Sequence, residues 1–248
     1  MRRWVYVLGL GLAVACCVQA AEVRVAVAAN FSAPMQKIAQ TFEQETGHKA
    51  LLSVGSTGNF YAQIKHGAPF DVLLAADDET PKRLEKEGLA VTGTRFTYAV
   101  GRLVLWSKTP GWVDDQGQVL RSAKFQRLAL ANPKLAPYGA AAVEVMHHMN
   151  VLSALQPLWV QGENIAQTYQ FVATGNAELG FVALSQVWSE GKLQAGSAWI
   201  VPSALHAPIQ QDAVLLSAGR NNPAALALLT YLRSARAKAV ITSHGYQG

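Results

Sequence analysis

Cysteine is nearly absent: the 248-residue chain has two, Cys16 and Cys17, side by side near its start. Both fall in a segment, residues 1–20, that reads as an export leader. Arg2 and Arg3 make its start positive, Val5 to Val18 are almost wholly apolar, and Val18-Gln19-Ala20 offers small residues for a cut before Ala21. The mature chain is thus expected to have no disulfide and no thiolate chemistry, although its compartment permits disulfides. Ala13 stands where a lipoprotein leader carries a larger aliphatic residue, which argues against lipidation at Cys16. After the leader no apolar run reaches the roughly 20 residues of a membrane span. The expectation is an exported, soluble protein of the periplasm.

Charge is also scarce, at 15% of residues. Without Arg2 and Arg3 there remain 19 basic side chains against 16 acidic ones, and no Lys/Arg stripe with interleaved aromatics. Nucleic acid is therefore not an expected partner. Catalytic motifs are missing too. Ser32, Ser185 and Ser203 lack a Gly-x-Ser-x-Gly context, so hydrolase chemistry has no support. His147 and His148, adjacent on a helix, point about 100° apart and have no third ligand at metal-site spacing. Asp71 reads as ending a loop beside a strand, and Asp77, Asp78 and Glu79 as the first turn of a helix.

What is present is alternation. Val23 to Ala29 reads as a strand, Ala33 to Glu45 as a helix with Met35, Ile38, Ala39 and Phe42 at helical spacing, and Ala50 to Val54 as a second strand. Phe70 to Ala75 and Pro81 to Gly88 continue the pattern, which predicts a parallel sheet covered on both faces. Phe96 to Trp106 is a long β-rich run without a helix. A second alternation then follows, with strands at Arg127 to Ala131 and Leu179 to Leu184 and helices at Ala140 to Asn150 and near Ile165 to Ala173. Gln210 to Ser217 is again extended, and Pro223 to Arg233 closes the chain as a helix. Two alternations joined by extended crossings, near Tyr98 to Gly101 and Pro208 to Asp212, predict two α/β lobes and a two-strand hinge.

In open α/β sheets ligands sit beyond the carboxyl ends of the strands, where helices begin. Four such junctions here carry one residue type: Asn30-Phe31-Ser32, Ser56-Thr57-Gly58-Asn59, Pro137-Tyr138-Gly139-Ala140 and Glu163-Asn164-Ile165. Hydroxyl and amide groups beside helix N-termini are ordinary caps, and they also suit an anion. No Arg or Lys lies within the four segments. On composition alone the two readings stand level.

The blocks VAVAANFSAPM, GSTGNFYAQIKHGAPFDVLLAADDETPKRLEKEGL, LALANPKLAPYGAAAVEVM and AELGFVALSQV, in that order, resemble the molybdate-binding periplasmic proteins of ABC transporters. The resemblance implies a type II periplasmic binding protein, with a mostly parallel sheet in each lobe and the oxyanion between the lobes. It implies first-lobe contacts at Asn30, with Ala29 beside it, and at Thr57 or Ser56. In the second lobe it implies Tyr138 and, through its backbone N–H, Ile165. Many relatives place a tyrosine hydroxyl where this chain has Ala183, and Tyr138 is expected to supply that hydroxyl from the opposite side.

The lobes are expected at 21–98 with 211–248, and at 99–210. The resemblance further implies a monomeric receptor that is no enzyme. It uses no cofactor and no direct metal ligand, and it delivers molybdate or tungstate to a membrane permease. A sulfate receptor, or an enzyme working on an anion in the same cleft, stays open as an alternative. Glu163 is a caution, because a carboxylate facing inward would admit a protonated anion. Tyr138→Phe is expected to weaken binding without moving ligand-free stability.

Overall fold

The computed structural model describes residues 20–247. Residues 1–19, which hold both cysteines and all but the last residue of the expected leader at 1–20, lie outside them. Strand β1 (Glu22–Ala28) passes through one 3-10 turn at Ala29–Phe31 into helix α1 (Ser32–Thr46). Met35, Ile38 and Phe42 bury one face of α1, and Gly47, at φ 71°, ends it in the left-handed conformation. β2 (Lys49–Gly55), α2 (Thr57–Lys65), β3 (Val72–Leu74) and α3 (Glu79–Lys86) repeat the unit. β4 (Phe96–Gly101) and β5 (Leu103–Ser107) follow, with Arg102 between them.

The second alternation comprises α4 (Val119–Ser122), β6 (Leu128–Ala131), α5 (Pro137–His148), α6 (Leu152–Leu155), β7 (Trp159–Gly162), α7 (Ile165–Ala173), β8 (Leu179–Ala183) and α8 (Leu184–Val187). A two-residue hairpin, β9 (Trp188–Ser189) with β10 (Lys192–Leu193), precedes β11 (Ser197–Ile200). Then come β12 (Ile209–Leu215), α9 (Pro223–Leu232) and α10 (Ala235–Ser243).

The strands form two five-stranded sheets, ordered β2-β1-β3-β12-β4 and β11-β5-β8-β6-β7. In the first, β12 runs against its neighbours β3 and β4; in the second, β5 runs against β8 and β11. The other four strands of each sheet share one direction, so each lobe is a mixed, mostly parallel sheet flanked by helices. The chain changes sheet at Arg102 and again between Ile200 and Ile209. These crossings lie side by side, since Gly101 pairs with Ile209.

The β-rich run from Phe96 to Trp106 divides at Arg102 into two strands in different sheets. One sequence expectation changes: the chain does not close at Arg233, because the Ser234 hydroxyl accepts from Ala237 N at 3.2 Å and starts α10. The tail then crosses back, and Gln247 exchanges backbone hydrogen bonds with Val100.

Each lobe has its own core. Val25, Val27, Phe31, Met35, Ile38 and Phe42 are fully buried in the first, as are Leu103, Leu105, Leu128, Leu130, Met146 and Phe181 in the second. A large apolar side chain buried this way contributes about 1.5–3 kcal/mol. Where the lobes meet, the packed residues turn small: Ala28, Ala29, Ala76 and Ala136. Small side chains let backbone N–H groups approach whatever lies between the lobes.

Candidate oxyanion-binding site

All six residues predicted from sequence line one small cavity between the lobes: Ala29, Asn30, Ser56, Thr57, Tyr138 and Ile165. Its remaining wall is Ala28, Gly55, Ala76, Ala136, Pro137 and Asn164. The cavity measures about 10 Å³, room for the centre of one water-sized sphere to move. A sugar or an amino acid does not fit, and the space is about that of a single water. No acidic or basic side chain lines it.

The donors can be followed one by one. Ser56 caps α2, its Oγ accepting from Asn59 N at 3.4 Å, and so keeps its hydroxyl proton for another partner. Thr57 Oγ1 accepts from Ala76 N at 2.9 Å and keeps its proton likewise. Gly58 N donates across the lobes to Leu135 O at 2.9 Å, which leaves the N–H of Thr57 without a partner among the described residues. At α7, Asn164 Oδ1 accepts from Ala166 N and Gln167 N at 3.0 and 3.1 Å. The cap stops there and leaves the N–H of Ile165 open to the cavity wall. At α5, Pro137 has no N–H and Ala136 O accepts from Gly139 and Ala140, leaving the Tyr138 N–H in the same condition.

Tyr138 is 1% exposed, and its hydroxyl accepts from Gln211 Nε2 at 3.0 Å. Burial holds the phenol well above its usual pKa, so it stays a neutral donor. Asn30 differs from the side-chain contact that the position suggests. Its Nδ2 donates to Gln211 Oε1 at 2.7 Å and to Tyr246 Oη at 3.0 Å, both away from the cavity. What Asn30 can offer an anion is its backbone N–H at the 3-10 turn. Ala183, fully buried, does not line the cavity.

Glu163 is exposed, and only its N–H is engaged, with Gln167 Oε1 at 2.7 Å. Asp77 turns to Thr80 and Asp78 to Lys82. Among the described residues no three His, Cys, Asp or Glu side chains gather as a metal site. Sequence reading missed the ring of polar groups behind the cavity: buried Gln211, Tyr98 and Tyr246, and half-buried Ser185. Tyr246 Oη donates to Asn30 O at 2.7 Å, and Ser185 Oγ, from the other lobe, to the same oxygen at 2.8 Å. These partners lie up to 216 positions apart. No local motif could have signalled them.

Two sheet-based lobes enclosing an uncharged, donor-lined cavity define a small-anion receptor of the periplasmic-binding type. The profile of the family described as bacterial extracellular solute-binding protein matches residues 23–247, and the chain belongs to that family. The molybdate-binding protein ModA of Azotobacter vinelandii is 60% identical over 246 residues, covering 99% of this chain and 97% of that protein. The ModA of Rhodobacter capsulatus is 49% identical over 97% of this chain and 92% of its own. Among solved structures, a periplasmic molybdate-binding protein of Azotobacter vinelandii superposes with a TM-score of 0.88 at 38% identity, over 91% of this chain and 99% of that one.

Proposed function

We propose that this chain is a periplasmic receptor, not an enzyme, that closes over molybdate or tungstate and delivers it to the membrane permease of an ABC transporter. The observation that carries the reading is the cavity: it offers N–H and O–H donors from both lobes and no charged group. Molybdate at neutral pH is a fully deprotonated tetrahedral dianion and only accepts hydrogen bonds. Hydrogen phosphate carries a proton and needs an acceptor, which is costly to omit from a buried site. The ModA relatives support the same ligand.

The proposed contacts are the backbone N–H groups of Asn30, Thr57, Tyr138 and Ile165 and the hydroxyls of Ser56, Thr57 and Tyr138, with Ala29 as wall. Hydrogen bonds to a charged group contribute about 1.5–3 kcal/mol each. These seven, set against dianion desolvation, leave micromolar or tighter affinity, about 8 kcal/mol or more. The proposal includes a monomer exported by a cleaved leader, with lobes at 21–98 plus 211–248 and at 99–210. Isothermal titration with molybdate, tungstate, sulfate and phosphate tests it. Molybdate and tungstate should bind tightest; sulfate binding as tightly would move the assignment to a sulfate receptor.

A further inference from the structure

Three consecutive residues at the start of α8 hold parts of the molecule that are far apart in the chain. Leu184 N donates to Arg102 O at 2.9 Å, where the chain first changes sheet. Ser185 Oγ donates to Asn30 O at 2.8 Å, in the other lobe. Gln186 Nε2 donates to Ile165 O at 3.0 Å, and its Oε1 accepts from Ala183 N at 2.9 Å, so the side chain is fixed from both ends. One short stretch thus joins the crossing, a first-lobe cavity residue and a second-lobe cavity residue. Leu184, Ser185 and Gln186 do not line the cavity themselves.

Asn30 O takes a second donor, Tyr246 Oη at 2.7 Å, from a ring that packs on Phe31 in the first-lobe core. A hydroxyl then occupies each lone pair of this carbonyl. On the other side of the residue, Ala29 O accepts from Ser32 N, so both peptide planes around Asn30 are held. Tyr246 and Asn30 share a lobe, and their bond survives when the lobes part. The Ser185 bond does not, because its two ends separate. We infer that Ser185 is a positioning residue of the anion site and a latch on its closed form: its hydroxyl completes the hold on Asn30 only when the second lobe comes down, and so slows the departure of a bound anion. This rests on the oxyanion reading and goes beyond it, because Ser185 touches no anion. Two other bonds between the lobes differ in kind. Gly58 N to Leu135 O is backbone alone, and Gln211 to Tyr138 ends on a residue of the cavity wall. Ser185 acts from outside that wall, so removing its hydroxyl removes no contact to the anion.

The anion enters the open form, in which the latch is undone, so the latch bears on dissociation and not on association. Stopped-flow mixing with molybdate gives both rates for parent and variants, with thermal melts of the anion-free proteins alongside. Ser185→Ala should release molybdate about five-fold faster, the effect of one ordinary hydrogen bond. Its association rate and anion-free melt should match the parent's. Ser185→Thr keeps the hydroxyl and should restore the parent's release. Ser107→Ala supplies the contrast, because Ser107 Oγ donates to Glu178 O at 2.6 Å inside the second lobe. That variant should melt lower and release molybdate at the parent's rate.

Release from Ser185→Ala at the parent's rate would overturn the inference and leave the receptor reading intact. So would slower association with unchanged release, or a lost cooperative melt, since either makes the hydroxyl a part of the fold and not of closure. A parent that binds none of molybdate, tungstate, sulfate and phosphate defeats the receptor reading and the latch together.

Discussion

The two lobes share a plan of five strands, four of them running one way, yet they hold themselves together differently. Every ion pair among the described residues lies in the first lobe and its return segment, from Lys65–Glu87 to Arg236–Glu45. Residues 103–200 contain none. The second lobe relies on its apolar core and on capped helices, such as α7 behind Asn164. In the proposed site both lobes would contribute backbone N–H groups, the first adding the hydroxyls of Ser56 and Thr57 and the second one phenol. Charge is confined to places where it cannot face the cavity. A dianion site of oriented dipoles needs that separation, because a fixed countercharge would bind phosphate and sulfate with little discrimination.

The strongest way to break this contrast is to remove the one ion pair whose carboxylate is fully buried. Asp212 accepts from Arg95 and from Thr97, while the Arg95 side chain stays 30% exposed. Asp212→Ala should cost about 3 kcal/mol, the low end for breaking a buried pair. In a chain of this size that lowers the melting midpoint by roughly 6–12 °C. A loss under a few degrees would show that the first lobe does not depend on its charges.

Tyr138→Phe probes the second lobe's side-chain donor. Molybdate affinity should fall by roughly 10- to 150-fold, the loss of one hydrogen bond to a charged group. The expectation of unchanged ligand-free stability does not survive the structure, because Gln211 Nε2 loses its acceptor. About 1 kcal/mol should go with it, read as a melting midpoint lower by a few degrees. Unchanged affinity would remove Tyr138 from the site.

Gly58→Ala tests the seam between the lobes. A Cβ there would stand 3.0 Å from Leu135 Cα and O, tighter than most packed contacts, so the Leu135 backbone must give way by a few tenths of an ångström. Closure should become harder by about 1.4 kcal/mol, or ten-fold in affinity, with ligand-free stability held or raised by the better helix former. Scattering with and without molybdate should then show a smaller contraction than in the parent. Smallest of all should be Glu79→Gln, at an exposed first-lobe pair with Lys82. Exposed pairs contribute little and salt screens them, so melting in high and low salt should differ hardly at all from the parent.

Much of the fold was legible in order along the chain. Apolar runs ending at Asn30 and Ser56 announce strand, turn and helix, and Asn164 announces a helix start, through local chemistry, while β7 before it, with the sequence Trp-Val-Gln-Gly, did not stand out; the six cavity residues all stand at such junctions. The end of the chain was less legible, because Ser234 restarts a helix that Arg233 had seemed to close. Local periodicity and capping act within a few residues, so sequence alone determined which segments would be strands and helices and where backbone donors would lie open. Only the folded chain decided which donors meet and which way they face. Tyr138 points where it does because of Gln211, 73 positions away, and Asn30 turns its amide from the cavity because of Gln211 and Tyr246, at separations of 181 and 216. A hydroxyl or an amide can give or take a hydrogen bond, and which it does depends on the neighbours that tertiary packing brings to it.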